Sequence, residues 1–297
     1  MASWRFCFTF GPFSAAVLDE VAGRRCWPEE AVRKKLYLER ANVGNLMFRY
    51  MFAEHLRRSN PDWVITGASM PEWGIVLPSD APARGIKLDG GNAIHIPSLT
   101  DAIKKPDIEG AYIGCYAQRL EYFEEHRQQF GSRFQAVAGG QETHDDELVI
   151  HIRAGDVLHG PNIHYNLTPV SYYRRLVERT GLKPVIIGQT QPSYYSNAFR
   201  RVFPNARFLA GNHWLDDFQT LRNATNIALS VSTFAWLAAW LSDTARVIYQ
   251  PQLGFLNPKQ CPDIDLAPEN DARYVYETFP VEHFRATPEQ IARAIAD

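Results

Sequence analysis

The sequence predicts an α/β protein made of two halves that face each other across a cleft. Three observations carry this expectation. From Lys35 onward, short β-branched runs alternate with longer segments of helical spacing, the pattern of parallel strands joined by helical crossovers. The alternation pauses at "QAVAGGQETHDDE" (Gln135 to Glu147), a polar, glycine-containing stretch that reads as a linker. At 297 residues the chain is one large domain or two of ordinary size. A boundary near Gly139–Asp146 divides it into an N-terminal half, 1–140, and a C-terminal half, 147–297.

The elements follow in order. "MASWRFCFTFGPFSAAVLDE" carries a lone Arg5 and is interrupted by Gly11-Pro12, so it reads as a strand or packing arm rather than a signal peptide. "KLYLE" and "DWVITG" read as strands around the helix Val43 to Arg58, whose apolar residues recur at three- and four-residue spacing. Met70 to Pro106 is rich in Pro, Gly and Asp and reads as an irregular insertion at the cleft. "EGAYIGCYAQ" is a strand, and "RLEYFEEHRQQFGSRF" the helix after it. In the second half, Leu148–Ile152, "KPVIIGQT", "ARFLAG", "NIALSV" and "ARVIYQP" read as strands. The intervening helices include one opened by Thr168 as N-cap with Pro169 at its first position. "TPEQIARAIAD" closes the chain in the same manner.

Composition excludes several classes. An apolar fraction of 45% describes a protein with a substantial core. A net charge of -2 gives no electrostatic reason to bind bulk nucleic acid or an anionic membrane. Cys7, Cys26, Cys115 and Cys261 are far apart and match no zinc spacing, as expected of reduced thiols in a cytoplasmic protein without a metal. No segment has the length of a transmembrane helix, which leaves room for peripheral membrane contact alone.

Two stretches carry chemistry. In "ELVIHIRAGDVLHG" a buried strand ends in His151, Arg153 and Asp156, with Gly155 at the turn. Alternation places His151 and Arg153 on one face, at the strand end where open α/β sheets bind ligands. The planar fork of Arg153 suits a phosphate; a buried Arg153–Asp156 pair that merely pins the turn is the alternative. In "NIALSVSTFAWLAAWLSD" a strand runs into Ser232 and Thr233 and directly into a helix, whose free N–H groups favour an anion. The alternative there is a capped core helix.

Four stretches in order resemble glycosyltransferase family 11, the α-1,2-fucosyltransferases. "NVGNLMFRYMFAEHL" is similar to the family's Gly-Leu-Gly-Asn-Gln-Met-Phe-Gln-Tyr helix start, and "YIGCYAQRLEYFEEHRQQF" to its Gly-Tyr-Phe-Gln segment. "HIRAGD" resembles the His-Ile-Arg-Arg-Gly-Asp motif, and "SVSTFAWLAAWL" the Asn-Ser-Thr-Phe-Ser-Trp-Trp segment. The resemblance spans roughly residues 36–250. It implies a GT-B fold of two Rossmann-like domains and an inverting, metal-independent transfer of L-fucose from GDP-β-L-fucose to a glycan hydroxyl, with no cofactor beyond the GDP-sugar. It further implies an oligosaccharide or polysaccharide acceptor, with bacterial surface polysaccharide the family-based choice.

Carried over by position, the resemblance makes Arg153 the diphosphate clamp and puts His151 near the nucleotide. Ser232 and Thr233 fall beside the phosphates, and Gly44 and Asn45 face the donor sugar. Asp156 is the nearest motif carboxylate for a general base, followed by His159 and His164, and is equally a structural partner of Arg153. Asn45 is equally a helix cap. Ala154, Leu46, Arg49, Val231 and Leu237 depart from the family pattern and bear on sugar specificity. Two further readings stay open: a transferase of the same fold using another nucleotide sugar, and a non-catalytic glycan-binding protein. A dinucleotide oxidoreductase is disfavoured, because no Gly-x-Gly-x-x-Gly follows a strand.

Overall fold

The computed structural model describes residues 33–135, 139–159, 163–209 and 213–296. The proposed N-terminal arm, with Cys7 and Cys26, lies outside them. The first sheet is built from β1 (Lys35–Leu38), β2 (Val64–Gly67), β3 (Gly85–Asp89) and β4 (Gly110–Gly114), in the order β2-β1-β4-β3 with every pairing parallel. Helix α1 (Val43–Ser59) connects β1 to β2, and α2 (Ile96–Lys104) connects β3 to β4. α1 is buried over most of its circumference, from Gly44 through Ala53 to Leu56, which explains its weakly one-sided apolar pattern.

Two expectations for this half are corrected. The stretch 70–106 is not irregular throughout, because it contains β3 and α2. β3 is a partly exposed edge strand, so it lacks a continuous apolar run. The inward face of α2 rests on Leu99 and Ile103, and flanking Pro and Gly obscure so short a stripe. The expected single helix over 119–134 is instead two 3-10 turns, Leu120–Tyr122 and Glu124–His126, followed by α3 (Arg127–Arg133). Tertiary anchoring breaks it: Leu120 N donates to Asp265 O (3.0 Å), and Tyr122 Oη accepts from Ile94 N (2.7 Å).

The second sheet contains β5 (Glu147–Ile152), β6 (Lys183–Gly188), β7 (Arg207–Phe208), β8 (Asn226–Ala228), β9 (Val247–Gln252) and β10 (Tyr274–Thr278). Its order is β7-β6-β5-β8-β9-β10, all parallel. Counted within the sheet this is 3-2-1-4-5-6, the doubly wound Rossmann order, and its topological switch point lies between β5 and β8. The helices are α4 (Gly155–His159), α5 (Val170–Thr180), α6 (Tyr194–Val202), α7 (Trp214–Asn223), α8 (Thr233–Trp240) and α9 (Pro288–Ile295).

Three further corrections concern this half. The residues after Gly155 form the short helix α4 rather than a loop, and Leu158 N bonds Ala154 O (2.7 Å). Thr168 does not cap α5: Pro169 occupies the cap position with ψ 135°, and the buried Thr168 Oγ1 has no partner. Preceding a proline holds Thr168 out of helical backbone. Thr287, also before a proline, does cap its helix, in a reciprocal box with Gln290. β10 had no counterpart in the sequence reading.

One continuous hydrophobic core serves both sheets. It runs from Leu36, Phe48 and Phe52 through Phe123 and Phe134 to Val149, Trp236, Trp240 and Ile248. Trp236 stacks on Trp240 at 5.5 Å and meets Phe48 at 5.8 Å. Buried Arg222 of α7 donates to Gly131 O (2.6 Å) and Phe134 O (2.8 Å), and Arg127 Nε donates to Trp240 O (2.6 Å). A second core around Ile150, Tyr172, Tyr173 and Phe199 covers the other face of the second sheet. Among the described residues, no helix is long and apolar enough to cross a membrane.

Candidate functional site

All six residues of β5 are buried, so its chemistry is delivered at its carboxyl end. His151 is 5% exposed, and its Nδ1 lies 2.7 Å from Ser230 Oγ. Gly188, the last residue of β6, makes room for it. With φ +95°, a Cβ there would come within 2.5 Å of Ile152 O and 3.0 Å of His151 Nε2. Burial, and then the positive charge of Arg153, push the His151 imidazole down to about 3. It is therefore neutral near pH 7, a hydrogen-bonding group rather than a proton shuttle.

Arg153 follows β5. Its Nε donates to Asp156 Oδ1 (3.1 Å) and its Nη2 to Asp156 Oδ2. The guanidinium lies over the Tyr165 ring, 4.4 Å from the centroid. The pinning pair considered from sequence is thus present, and Arg153 also lines both cavities described below. The bond from Arg153 holds the Asp156 carboxyl below its ordinary value, which makes Asp156 a weak base. Gln189 Oε1 accepts from both Ala154 N and Gly155 N, at 2.6 Å each, fixing the turn that carries Arg153.

Two helix N-termini converge on the same place. Ser232 caps α8, its Oγ accepting from Ala235 N (3.3 Å), so Thr233 opens the helix. α1 begins opposite. Its N-cap is Asn42, which makes no side-chain cap bond. Asn45 is inside the first turn and caps nothing: its Oδ1 accepts from Gln118 Nε2 (3.1 Å). Gly44 is where the helices touch, since a Cβ there would lie 2.7 Å from Thr233 Oγ1 and 2.9 Å from Phe234 N.

These residues enclose a cavity of about 480 Å³. Gly44, Asn45, His151, Arg153, Asp156, Ser232 and Thr233 all line it, so these seven candidates meet in one place, whereas the base candidates His159 and His164 do not line it. Gln189, Trp214 and Asp217 line it as well and were missed. Burial, and then neighbouring Asp216, raise the Asp217 carboxyl to about 6. In sequence, Asp216-Asp217 reads only as a pair on a helix whose side chains diverge by about 100°, unsuited to hold a metal together.

A second cavity, of about 410 Å³, shares Asn42, Asn45, Arg153, Asp156 and Tyr165 with the first. His164 lines it, with Nδ1 3.2 Å from Cys261 Sγ, whereas His159 on α4 is exposed and turns its Nδ1 to Gly155 O (2.8 Å). Arg49 is buried and donates to the carbonyls of Glu39, Arg40, Gly114 and Cys115, tying α1 to the ends of β1 and β4. Leu46, Arg49, Val231 and Leu237 line neither cavity. Among the described residues, no group of three His, Cys, Asp or Glu side chains could hold a metal ion.

No protein-family profile and no curated protein sequence matches the chain. Among solved structures, the bacterial iron-containing dodecameric glycosyltransferase TibC from enterotoxigenic E. coli H10407 aligns with a TM-score of 0.41 at 12% identity. The alignment covers 84% of this chain and 64% of TibC, so the chain spans less than two-thirds of that protein's length. A superposition this loose decides neither fold nor activity.

Proposed function

We propose that the chain is a glycosyltransferase of GT-B type that binds a nucleotide sugar in the larger cavity. The observation that carries this reading is the convergence of two helix N-termini, α1 and α8, with Arg153 at the switch point of a Rossmann-order sheet. Helix N-termini present free N–H donors and a partial positive charge. Two of them beside a guanidinium fit a diphosphate better than any neutral ligand. The ordered motif resemblance narrows the donor to GDP-β-L-fucose. Asp217 supports guanine among the bases, because a carboxylate can accept both N–H groups on that ring's Watson–Crick edge.

In this reaction the bond between the anomeric carbon and the β-phosphate oxygen breaks, and GDP leaves with the electron pair. Arg153 and the two sets of N–H dipoles stabilise the charge that develops, a task that needs no metal. The acceptor hydroxyl attacks from the opposite face and inverts the centre. Its proton is lost late, to Asp156 or to water, because a carbon that is already cationic asks little of a base. The acceptor is a glycan, and the reaction is placed in the cytoplasm, where nucleotide sugars are made.

A thermal-shift panel of GDP, UDP, CMP and GDP-fucose tests the proposal. A ligand at one hundred times its dissociation constant stabilises by about 2.7 kcal/mol. GDP and GDP-fucose are expected to raise the melting temperature. Stabilisation by another nucleotide alone transfers the reading to a different donor, and no stabilisation by any of the four overturns it. Asp217→Asn is expected to weaken GDP while leaving UDP and CMP unchanged.

A further inference from the structure

We infer that the smaller cavity is an acceptor subsite built for a neutral, hydroxyl-rich terminal sugar and closed to anionic ones, with Asp263 as the residue that excludes charge. The inference rests on the donor reading above and adds the class of the second substrate. In the first sheet β1 and β4 are parallel neighbours, so their carboxyl ends lie side by side. The chain leaving β1 supplies Asn45 and the chain leaving β4 supplies Tyr116 and Gln118, all at this cavity. Its volume falls within the range of about 300–1,000 Å³ usual for small-molecule sites. Asn45 and Arg153 line both cavities, so a hydroxyl held in the smaller one is presented beside the diphosphate in the larger.

The lining is an array of oriented amides. Gln118 is 4% exposed yet lines the cavity, and its Nε2 donates to Asn45 Oδ1 (3.1 Å). Asn92, 5% exposed, accepts from Gln118 N at Oδ1 (3.0 Å) and donates from Nδ2 to Asp263 Oδ2 (3.0 Å). Amides both donate and accept, as sugar hydroxyls do. Ala117 is held at φ +48° between Tyr116 and Gln118, a strained conformation for a residue with a Cβ. That turn is tied to Gly91 O by Tyr116 N (3.0 Å), and Asp265 N donates to Gln118 O (2.9 Å). Tyr116 is left 42% exposed at the cavity wall, a ring face against which the apolar side of a sugar packs.

Charge sets the specificity. Among the described lining residues the Lys and Arg side chains number one, Arg153, and it is already paired with Asp156. Among the described residues the Asp263 carboxylate accepts from the Asn92 amide and from no basic side chain, while Arg119 Nη1 donates to Asp263 O (3.2 Å). A uronate, sialate or sulfate entering here meets the carboxylates of Asp156 and Asp263 against the single guanidinium of Arg153. The Coulomb cost of one like charge at contact distance corresponds to a factor of about five in affinity even in water.

Fluorescently labelled full-length protein on a glycan array, with neutral, uronate, sialate and sulfate termini, tests this with and without GDP. Binding is expected on neutral termini and absent on acidic ones. Tyr116→Ala, at an exposed position that lines only the smaller cavity, is expected to weaken the neutral signal about tenfold, the scale of one aromatic packing contact. Asp263→Asn is expected to admit acidic termini. Binding of acidic glycans by the parent, a neutral signal indifferent to Tyr116→Ala, or no glycan signal at all overturns the inference. GDP affinity measured by calorimetry on the same preparations reads the donor site separately, so failure of the nucleotide reading is distinguished from failure at the acceptor subsite.

Discussion

Gly44→Ala adds one methyl group at the point where α1 meets α8, and two effects of opposite sign compete there. Alanine favours helix over glycine by roughly 0.8–1.0 kcal/mol in a helix interior, and Gly44 lies in the first turn, where that gain is smaller. Against it, the new Cβ would stand 2.7 Å from Thr233 Oγ1, 2.9 Å from Phe234 N and 3.2 Å from Thr233 C. The hydroxyl can rotate away, but the two backbone atoms belong to the start of a buried helix and cannot. Overpacking of this kind costs about 1–3 kcal/mol, so destabilisation wins, by about 1–2 kcal/mol net. For a chain of this size that lowers the melting temperature by roughly 2–8 °C. Urea denaturation gives the free energy and calorimetry the GDP affinity, which should fall because the two N-termini are forced apart. Adding Thr233→Ala removes one of the three contacts and should restore only part of the loss. A Gly44→Ala protein that melts at or above the parent temperature with unchanged GDP affinity would refute the argument.

Arg153→Ala should lower transfer by a factor on the order of 10² to 10³, and Arg153→Lys should rescue it poorly, because a point charge cannot reproduce the fork that holds Asp156 and phosphate together. Steady-state rates on protein that retains the parent melting temperature check both. Transfer should survive prolonged EDTA treatment; loss of activity restored by magnesium or manganese would contradict the metal-free mechanism. Acidification should weaken the fold below about pH 6.5. His151 is held near 3 in the folded chain, against 6.5 when unfolded, so the unfolded state takes up a proton that the folded state refuses. Stability is full above the unfolded value and is lost as pH falls towards 3, by up to about 1.4 kcal/mol per pH unit. His55, also lowered by burial, adds to the same limb. Denaturation midpoints in the His55→Gln variant between pH 7 and 5 should therefore keep the remaining slope.

His151, Arg153, Ser232 and Thr233 could be read from sequence because each stands at a strand end or helix start, where local pattern and ligand geometry coincide. Gly44 and Asn45 came only through the motif resemblance; nothing local reveals that Gly44 must admit Thr233. The roles of Gln118, Asn92, Gln189 and Asp217 were hidden for one physical reason. Each is an ordinary polar residue near an element boundary, and its role depends on what lies opposite it after folding: Gln118 meets Asn45, and Gln189 meets the amides of Ala154 and Gly155. The same logic separates the elements. Buried β5 announced itself, whereas the edge strands β3 and β10 carry mixed polarity and did not.

The core shared by the two sheets sets a condition on turnover. Swinging the halves apart to release a product would bring Phe48, Trp236 and their neighbours into water, at about 1.5–3 kcal/mol for each large side chain exposed. With Arg127 and Arg222 bonded across the same boundary, wide hinge opening is not the cheap route. The spent nucleotide and the extended glycan must leave through the mouths of their own cavities while the body of the molecule stays shut. Release would then be governed by the short segments around those mouths, and a crosslink pinning α1 to α8 should leave the catalytic cycle running.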